Sequence, residues 1–306
     1  MDKKKFFVLL RALRINQWIK NFVVFTAVIF SGKLFEIDLL SKSFYAFIVF
    51  CLLSSTSYVL NDIIDYPFDK KHPVKKNRPI ASGQISIPEA TFIVFVMTLI
   101  SLMIALMFSI PLFLLSLVYI LLHFFYSLYL KKFPVIDIFV ISFSFMLRTY
   151  GGEVVTGFHI PVWLTLTIFF ISLFMATVKR HAELVAHGSE TRISLYRYNE
   201  HLLDFLTNAF ATMSIIAYAT YTYTEKPPQV TTLLSNVFLS MFPGFEARKW
   251  MMITIPFAVY GIARYAQLLY EKEEGERPEQ LITTDVPLVL TIVSFGIIII
   301  SLFYIL

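Results

Sequence analysis

The chain has one cysteine, Cys51, in 306 residues. A single thiol excludes an intrachain disulfide, and without a CxxC pair it offers no zinc site. Charge is also scarce: Asp, Glu, Lys and Arg make up 15% of the sequence, against about 25% in an ordinary soluble domain. GxSxG, HExxH and Walker A patterns are missing, so hydrolase, metalloprotease and P-loop chemistries lack support. No internal repeat is visible, which argues against an inverted-repeat transporter. No small-residue cleavage site follows the basic start Met1-Asp2-Lys3-Lys4-Lys5, so these residues read as mature sequence rather than a signal peptide.

What is abundant is apolar surface. Hydrophobic residues make up 57%, with 32 phenylalanines, and the mean hydropathy is +0.71. That composition predicts an all-α polytopic membrane protein with no soluble domain. The net charge of +5 needs no nucleic-acid partner, because membrane orientation and anionic substrates account for it. Residues 6–17, apolar with Arg11 and Arg14 interspersed, suit an interfacial helix. Nine spans follow, at about 18–34, 42–61, 88–108, 111–130, 135–152, 160–180, 202–223, 250–270 and 286–306. Pro111, Pro134, Pro161 and Pro287 fall near span starts, where proline costs a helix least. All but six of the 26 lysines and arginines then face one side; the six are Lys33, Lys42, Arg148, Lys226, Arg248 and Lys249. The bias puts the N-terminus in the cytoplasm of a multi-pass plasma-membrane protein. The segment 224–249 is the longest external one, and the acidic run 271–279 reads as a solvated loop.

The most informative stretch runs from Asn61 to Gly83, between two apolar runs. Asp62, Asp65 and Asp69 stand at i, i+3 and i+7, so on a helix they share a face, with Asn61 one turn from Asp65. Clustered carboxylates need a cation. Hard oxygen ligands, few per ion, suit Mg²⁺, which takes waters and phosphate oxygens as its remaining ligands. Lys70, Lys71, Lys75, Lys76 and Arg78 follow as cations suited to phosphate. The pattern predicts a Mg²⁺–diphosphate site at a membrane face. The alternative for these bases is a solvated loop that obeys the positive-inside rule.

A second cluster closes span six: Lys179-Arg180-His181-Ala182-Glu183, then Arg192, Arg197 and Tyr198. Lys179 and Glu183, at i and i+4, are placed to pair, and Arg180 is suited to bidentate phosphate binding. Two polar clusters facing one compartment suggest a shared cavity, although this one too reads as an ordinary positive-inside loop. Gln17-Trp18-Ile19-Lys20-Asn21 puts Lys20 just inside the cytoplasmic boundary, where it either snorkels or reaches a phosphate.

Asn61-Asp62-x-x-Asp65-x-x-x-Asp69, the downstream Asn77-Arg78-Pro79-Ile80-Ala81-Ser82-Gly83 and the nine spans together resemble the UbiA superfamily of intramembrane prenyltransferases. The resemblance covers essentially the whole chain. It implies a single UbiA-like transmembrane domain over 1–306, a nine-helix bundle with a cytoplasm-facing cavity, and Mg²⁺–diphosphate bound between two Asp-rich motifs. The second motif departs from the pattern. Where users of a prenyl diphosphate resemble DxxxD, this chain has Lys179-Arg180-His181-Ala182-Glu183. That departure, with Gln17-Trp18-x-Lys20-Asn21, Arg192 and Tyr198, resembles the decaprenyl-phosphate phosphoribosyltransferase branch. There the donor is phosphoribosyl pyrophosphate and the acceptor a polyprenyl phosphate, so more negative charge must be neutralised than with a neutral aromatic acceptor.

The resemblance implies that Asn61, Asp62, Asp65 and Asp69 hold the metal, with Glu183 a further catalytic acid. Lys20, Asn61, Arg78, Lys179, Arg180, Arg192 and Tyr198 would bind substrate. Mg²⁺ would act as a Lewis acid on the diphosphate leaving group, and the lipid phosphate would attack an oxocarbenium-like C1 from the opposite face. Two alternatives stand beside this reading. One is a related prenyltransferase with an aromatic acceptor; the other is a lipid or small-molecule transporter.

Overall fold

The computed structural model describes residues 3–72, 74–187, 198–226, 236–237, 240–241, 250–271 and 283–305. Among these residues every regular element is helical. In chain order they are α1 (Lys3–Leu13), a 3₁₀ segment (Ile15–Phe25), α2 (Thr26–Phe30), α3 (Ile37–Asp69), α4 (Ile87–Phe108), α5 (Ile110–Leu128), α6 (Ile136–Thr156), α7 (Val162–His187), α8 (Glu200–Thr224), α9 (Ile255–Glu271) and α10 (Val286–Tyr304). Short 3₁₀ turns sit at Lys75–Asn77, Leu130–Lys132 and Met252–Thr254.

Seven of these helices, α3 to α8 and α10, are long and apolar enough to cross a membrane. The expected spans at 18–34 and 250–270 are shorter as helices. The first is the Ile15–Phe30 segment, and the second reduces to the 17 residues of α9. Helix starts follow the proline pattern: α4, α5 and α10 carry proline in their first two positions. Ser86 and Glu89 cap α4 reciprocally, and Ser109 caps α5 by accepting the Leu112 N–H.

The chain divides into two compact units. The first comprises residues 1–26 and 37–157. Its core joins Val24 to Phe50, Leu53, Leu112, Tyr119 and Leu147. Helix α6 approaches its neighbours very closely there. A Cβ added at Gly152 would lie 1.9 Å from the Val24 carbonyl oxygen, and one at Gly151 would lie 2.2 Å from the Phe50 ring. Only glycine allows that contact. Arg148, which the charge count put among the outward-facing cations, is instead buried in this unit, 4% exposed. The second unit comprises residues 27–36 and 158–306. Its core gathers Ile160, Leu164, Tyr218, Tyr221, Met251, Ile299 and Phe303. The Tyr304 hydroxyl donates to the Ile29 carbonyl at 2.6 Å, and Arg264 pairs with Asp285, which also caps α10.

Candidate functional site

Helix α3 positions the acids. It runs 33 residues, about 50 Å at 1.5 Å per residue, well beyond the roughly 30 Å of a bilayer's hydrocarbon core. The sequence pattern ends the span at Asn61 and starts a loop at Asp62; the helix in fact continues through Asp69. Asp62, Asp65 and Asp69 therefore stand on its last turns, at true helical spacing. Pro67 lies within this end, and its missing N–H takes one bond out of the helical ladder.

The three acids form two groups. Asp62, 3% exposed, accepts from Arg14 Nη2 at 2.5 Å and from Arg78 Nη1 at 3.0 Å. The same Arg78 nitrogen donates to Asp69 Oδ2 at 2.7 Å, so one cationic nitrogen bridges Asp62 and Asp69. Asp65 belongs to the second group. Asn61 Nδ2 donates to its Oδ2 at 2.9 Å, and Lys131 Nζ donates to its Oδ1 at 2.5 Å and to Asn61 Oδ1 at 3.0 Å.

Local sequence aims each cation. Arg78 precedes a proline, which favours extended backbone, and its φ is −64° with ψ 145°. Ile80 and Ala81 bury behind it, Ile80 packing against Ala12, Val59 and Ala90. Gly83, at φ +78°, closes the turn by donating to the Ile80 carbonyl at 3.1 Å. Arg14 and Val135 are the non-glycine residues with positive φ among those described, at 50° and 67°. Arg14 opens the 3₁₀ segment, and Val135 opens α6 just after the turn that carries Lys131. Strained backbone of this kind persists where surrounding structure over-determines it, often at functional sites.

Arg14 and Lys131 were not singled out as site residues by the sequence pattern. Their signal is the same lysine and arginine enrichment that topology alone produces. Lys20 lies on the 3₁₀ segment, half-buried.

In the second unit, Arg180, Glu183 and Tyr198 are described and Arg192 lies outside the described residues. Arg180 is 2% exposed and donates to Glu183 Oε2 at 2.5 Å, one turn on. Glu183 and Arg180 thus form an i,i+3 ion pair. Tyr198 is buried just before α8, whose first turn is capped by Asn199.

The donor set at the end of α3 is three carboxylates and one amide, all hard oxygens. Among the described residues no three acidic, histidine or thiol groups converge as a closed metal site. A cationic nitrogen already sits between Asp62 and Asp69. Hard oxygen donors of this kind are the type that suits a divalent ion completing its shell with water and phosphate oxygens.

The sequence profile of the UbiA prenyltransferase family matches residues 22–282. The chain belongs to that family. Within it, the chain is 33% identical over 287 residues to a decaprenyl-phosphate phosphoribosyltransferase from Corynebacterium glutamicum, covering 90% of this chain and 81% of the relative. It is 32% identical over 286 residues to a decaprenyl-phosphate phosphoribosyltransferase from Mycolicibacterium smegmatis, covering 90% and 86%. Among solved structures, a UbiA homologue from Archaeoglobus fulgidus bound to GPP and Mg²⁺ superposes with a TM-score of 0.69. It is 17% identical, and the match covers 97% of this chain and 99% of that one. The protein is thus a multi-pass UbiA-family membrane protein, helical in every regular element among the described residues, with the fold of that homologue.

Proposed function

We propose that this protein transfers the 5-phosphoribosyl group from phosphoribosyl pyrophosphate to a polyprenyl phosphate of the decaprenyl type, releasing diphosphate. The observation that carries the reading is the departure at the second motif. Lys179 stands where the first acid of a DxxxD pair would serve a prenyl diphosphate, with Arg180 beside it and Glu183 the one acid left, and the relatives sharing about nine-tenths of the chain are named phosphoribosyltransferases. The chain then acts as one UbiA-like domain over residues 1–306 with nine spans. Its N-terminus and its active-site cavity face the cytoplasm at the plasma membrane, in line with the basic-residue bias.

The oxygen donors of Asn61, Asp62, Asp65 and Asp69 fit a divalent cation, read here as Mg²⁺. When bound, the ion supplies charge neutralisation to the departing diphosphate. The chain's own residues do the rest. Arg14, Arg78 and Lys131 already lie within hydrogen-bond reach of the acids, and in this reading they bind phosphate oxygens beside them. Lys20, Lys179, Arg180, Arg192 and Tyr198 hold the remaining donor and acceptor phosphates. Glu183, with the α3 carboxylates, stabilises positive charge that develops at ribose C1. An ionised lipid phosphate is already a nucleophile, so the site needs no strong general base.

The test is transfer of label. Purified protein is incubated with a divalent salt, polyprenyl phosphate and labelled phosphoribosyl pyrophosphate. The expected result is label in the organic phase that EDTA removes; label confined to the aqueous phase refutes the reading.

A further inference from the structure

Arg148 is a buried guanidinium whose described partners are all neutral. Its Nε donates to Asn21 Oδ1 at 2.6 Å, Nη1 to Ser144 Oγ at 3.1 Å and Nη2 to the Tyr119 hydroxyl at 2.6 Å. Its carbon also lies 5.0 Å from the centroids of the Tyr119 and Phe145 rings. No carboxylate among the described residues pairs with it. Such a cation inside a membrane bundle is expensive, and an apolar side chain would pack at lower cost. What the guanidinium provides is geometry: one planar fork ties α6 to α5 and to the 3₁₀ segment.

The contact on that segment is Asn21, fully buried. With its oxygen taken by Arg148, its amide nitrogen donates to Cys51 Sγ and Ser54 Oγ of α3, both at 3.2 Å. A 3₁₀ helix repeats every three residues, so Trp18, Asn21 and Val24 share a face. The Trp18 indole donates to Ser55 Oγ at 2.9 Å, and Ser55 Oγ donates to the Leu13 carbonyl at 2.8 Å. Eleven residues is a long 3₁₀ run, since such helices seldom exceed three or four residues. Side-chain bonds to α3 and α6 hold it.

Arg14 stands at the head of this run and reaches Asp62. Asn21 lies seven positions after Arg14. Relaxation of that stretch to an α-helix would shorten it by about 3.5 Å and turn it by about 140°. Either change would carry Arg14 off Asp62.

We propose that Arg148 is a positioning residue: through Asn21 it holds Ile15–Phe25 in its 3₁₀ form and so keeps Arg14 at the acidic end of α3. The proposal rests on reading that end as the donor site. Loss of Arg148 then acts through Arg14 on donor binding. Arg148→Met and Asn21→Leu raise the donor KM at least tenfold and change kcat less. Asn21→Asp keeps an acceptor for Arg148 but loses the amide donor to Cys51 and Ser54, so its donor KM falls between wild type and Asn21→Leu.

The decisive experiment is a double-mutant cycle in purified protein, with donor KM as readout, joined to a probe that needs no substrate. Arg148→Met added to Arg14→Gln raises donor KM no further than Arg14→Gln alone. N-ethylmaleimide labels Cys51, the only cysteine, at least ten times faster in Arg148→Met than in wild type, because the seam over it loosens. If Arg148→Met does not fold, Arg148→Lys and Asn21→Leu carry the same cycle. Additive effects on KM, or unchanged Cys51 labelling, overturn the proposal. Faster labelling in a protein that transfers no phosphoribosyl group leaves the seam intact as a finding and removes the donor-site reading instead.

Discussion

Lys131 Nζ lies 2.5 Å from Asp65 Oδ1, across 66 positions of sequence. That contact ties the turn before α6 to the acidic end of α3. Lys131→Met is expected to raise the donor KM at least about tenfold, the equivalent of about 1.4 kcal/mol of binding. Lys131→Arg should recover much of the loss. Initial rates at varied donor, paired with thermal unfolding, check this. A lowered Tm with unchanged KM would mean the pair is only structural.

Asp62→Asn keeps the shape of a residue that Arg14 and Arg78 both contact. It is expected to reduce turnover by about a hundredfold or more, with the protein still monodisperse in detergent. Asp62→Ala should also destabilise by about 3 kcal/mol, because it strips a buried partner from two cations. Single-turnover assays beside unfolding curves separate the two effects. Near-normal turnover in Asp62→Asn would remove this residue from the metal set.

The spacing of Asp62, Asp65 and Asp69 was legible because a 3.6-residue period is local. So were the proline-marked helix starts. The partners of those acids were not legible. Arg14 and Lys131 come from distant positions, and a basic residue that orients a helix has the same sequence signature as one that meets a carboxylate. Arg148 looked like a face residue because nothing in an apolar run says that a neighbouring segment supplies acceptors. The 3₁₀ form of Ile15–Phe25 was equally hidden, since its side-chain bonds to Cys51, Ser54 and Ser55 are tertiary. At the second cluster the sequence leaves i,i+3 and i,i+4 pairings both open to Glu183, and the ion pair with Arg180 is the i,i+3 one.

Gly152→Ala tests the packing of α6 apart from any chemistry. The added methyl meets the Val24 carbonyl, which is backbone and cannot swing away. A loss of about 1–3 kcal/mol is expected, read as a lower unfolding midpoint in detergent. Gly157→Ala, where no atom lies within 4 Å but φ is +73°, should cost about 1 kcal/mol through backbone strain alone. An unchanged midpoint in Gly152→Ala would contradict the close approach of α6 to the 3₁₀ segment.

Arg180→Ala is expected to raise the donor KM at least about tenfold. Arg180→Lys should recover part of this only, because a lysine cannot bind a phosphate bidentately. Glu183→Gln, which removes the charge but keeps the shape of Arg180's partner, should lower kcat more than it raises KM. Steady-state kinetics on the three variants check the split. Donor kinetics unchanged in Arg180→Ala would return this cluster to a topological role.

The most direct measurement is a donor competition. Purified protein receives Mg²⁺ with polyprenyl phosphate and an aromatic acid as acceptors, and equal amounts of phosphoribosyl pyrophosphate and a prenyl diphosphate as donors. Products are resolved by mass. The expected product is a polyprenyl phosphate carrying one added phosphoribosyl group, lost with EDTA and strongly reduced in Asp62→Asn. A prenylated aromatic acid as the sole product would contradict it and make the chain a UbiA-type prenyltransferase of the aromatic class.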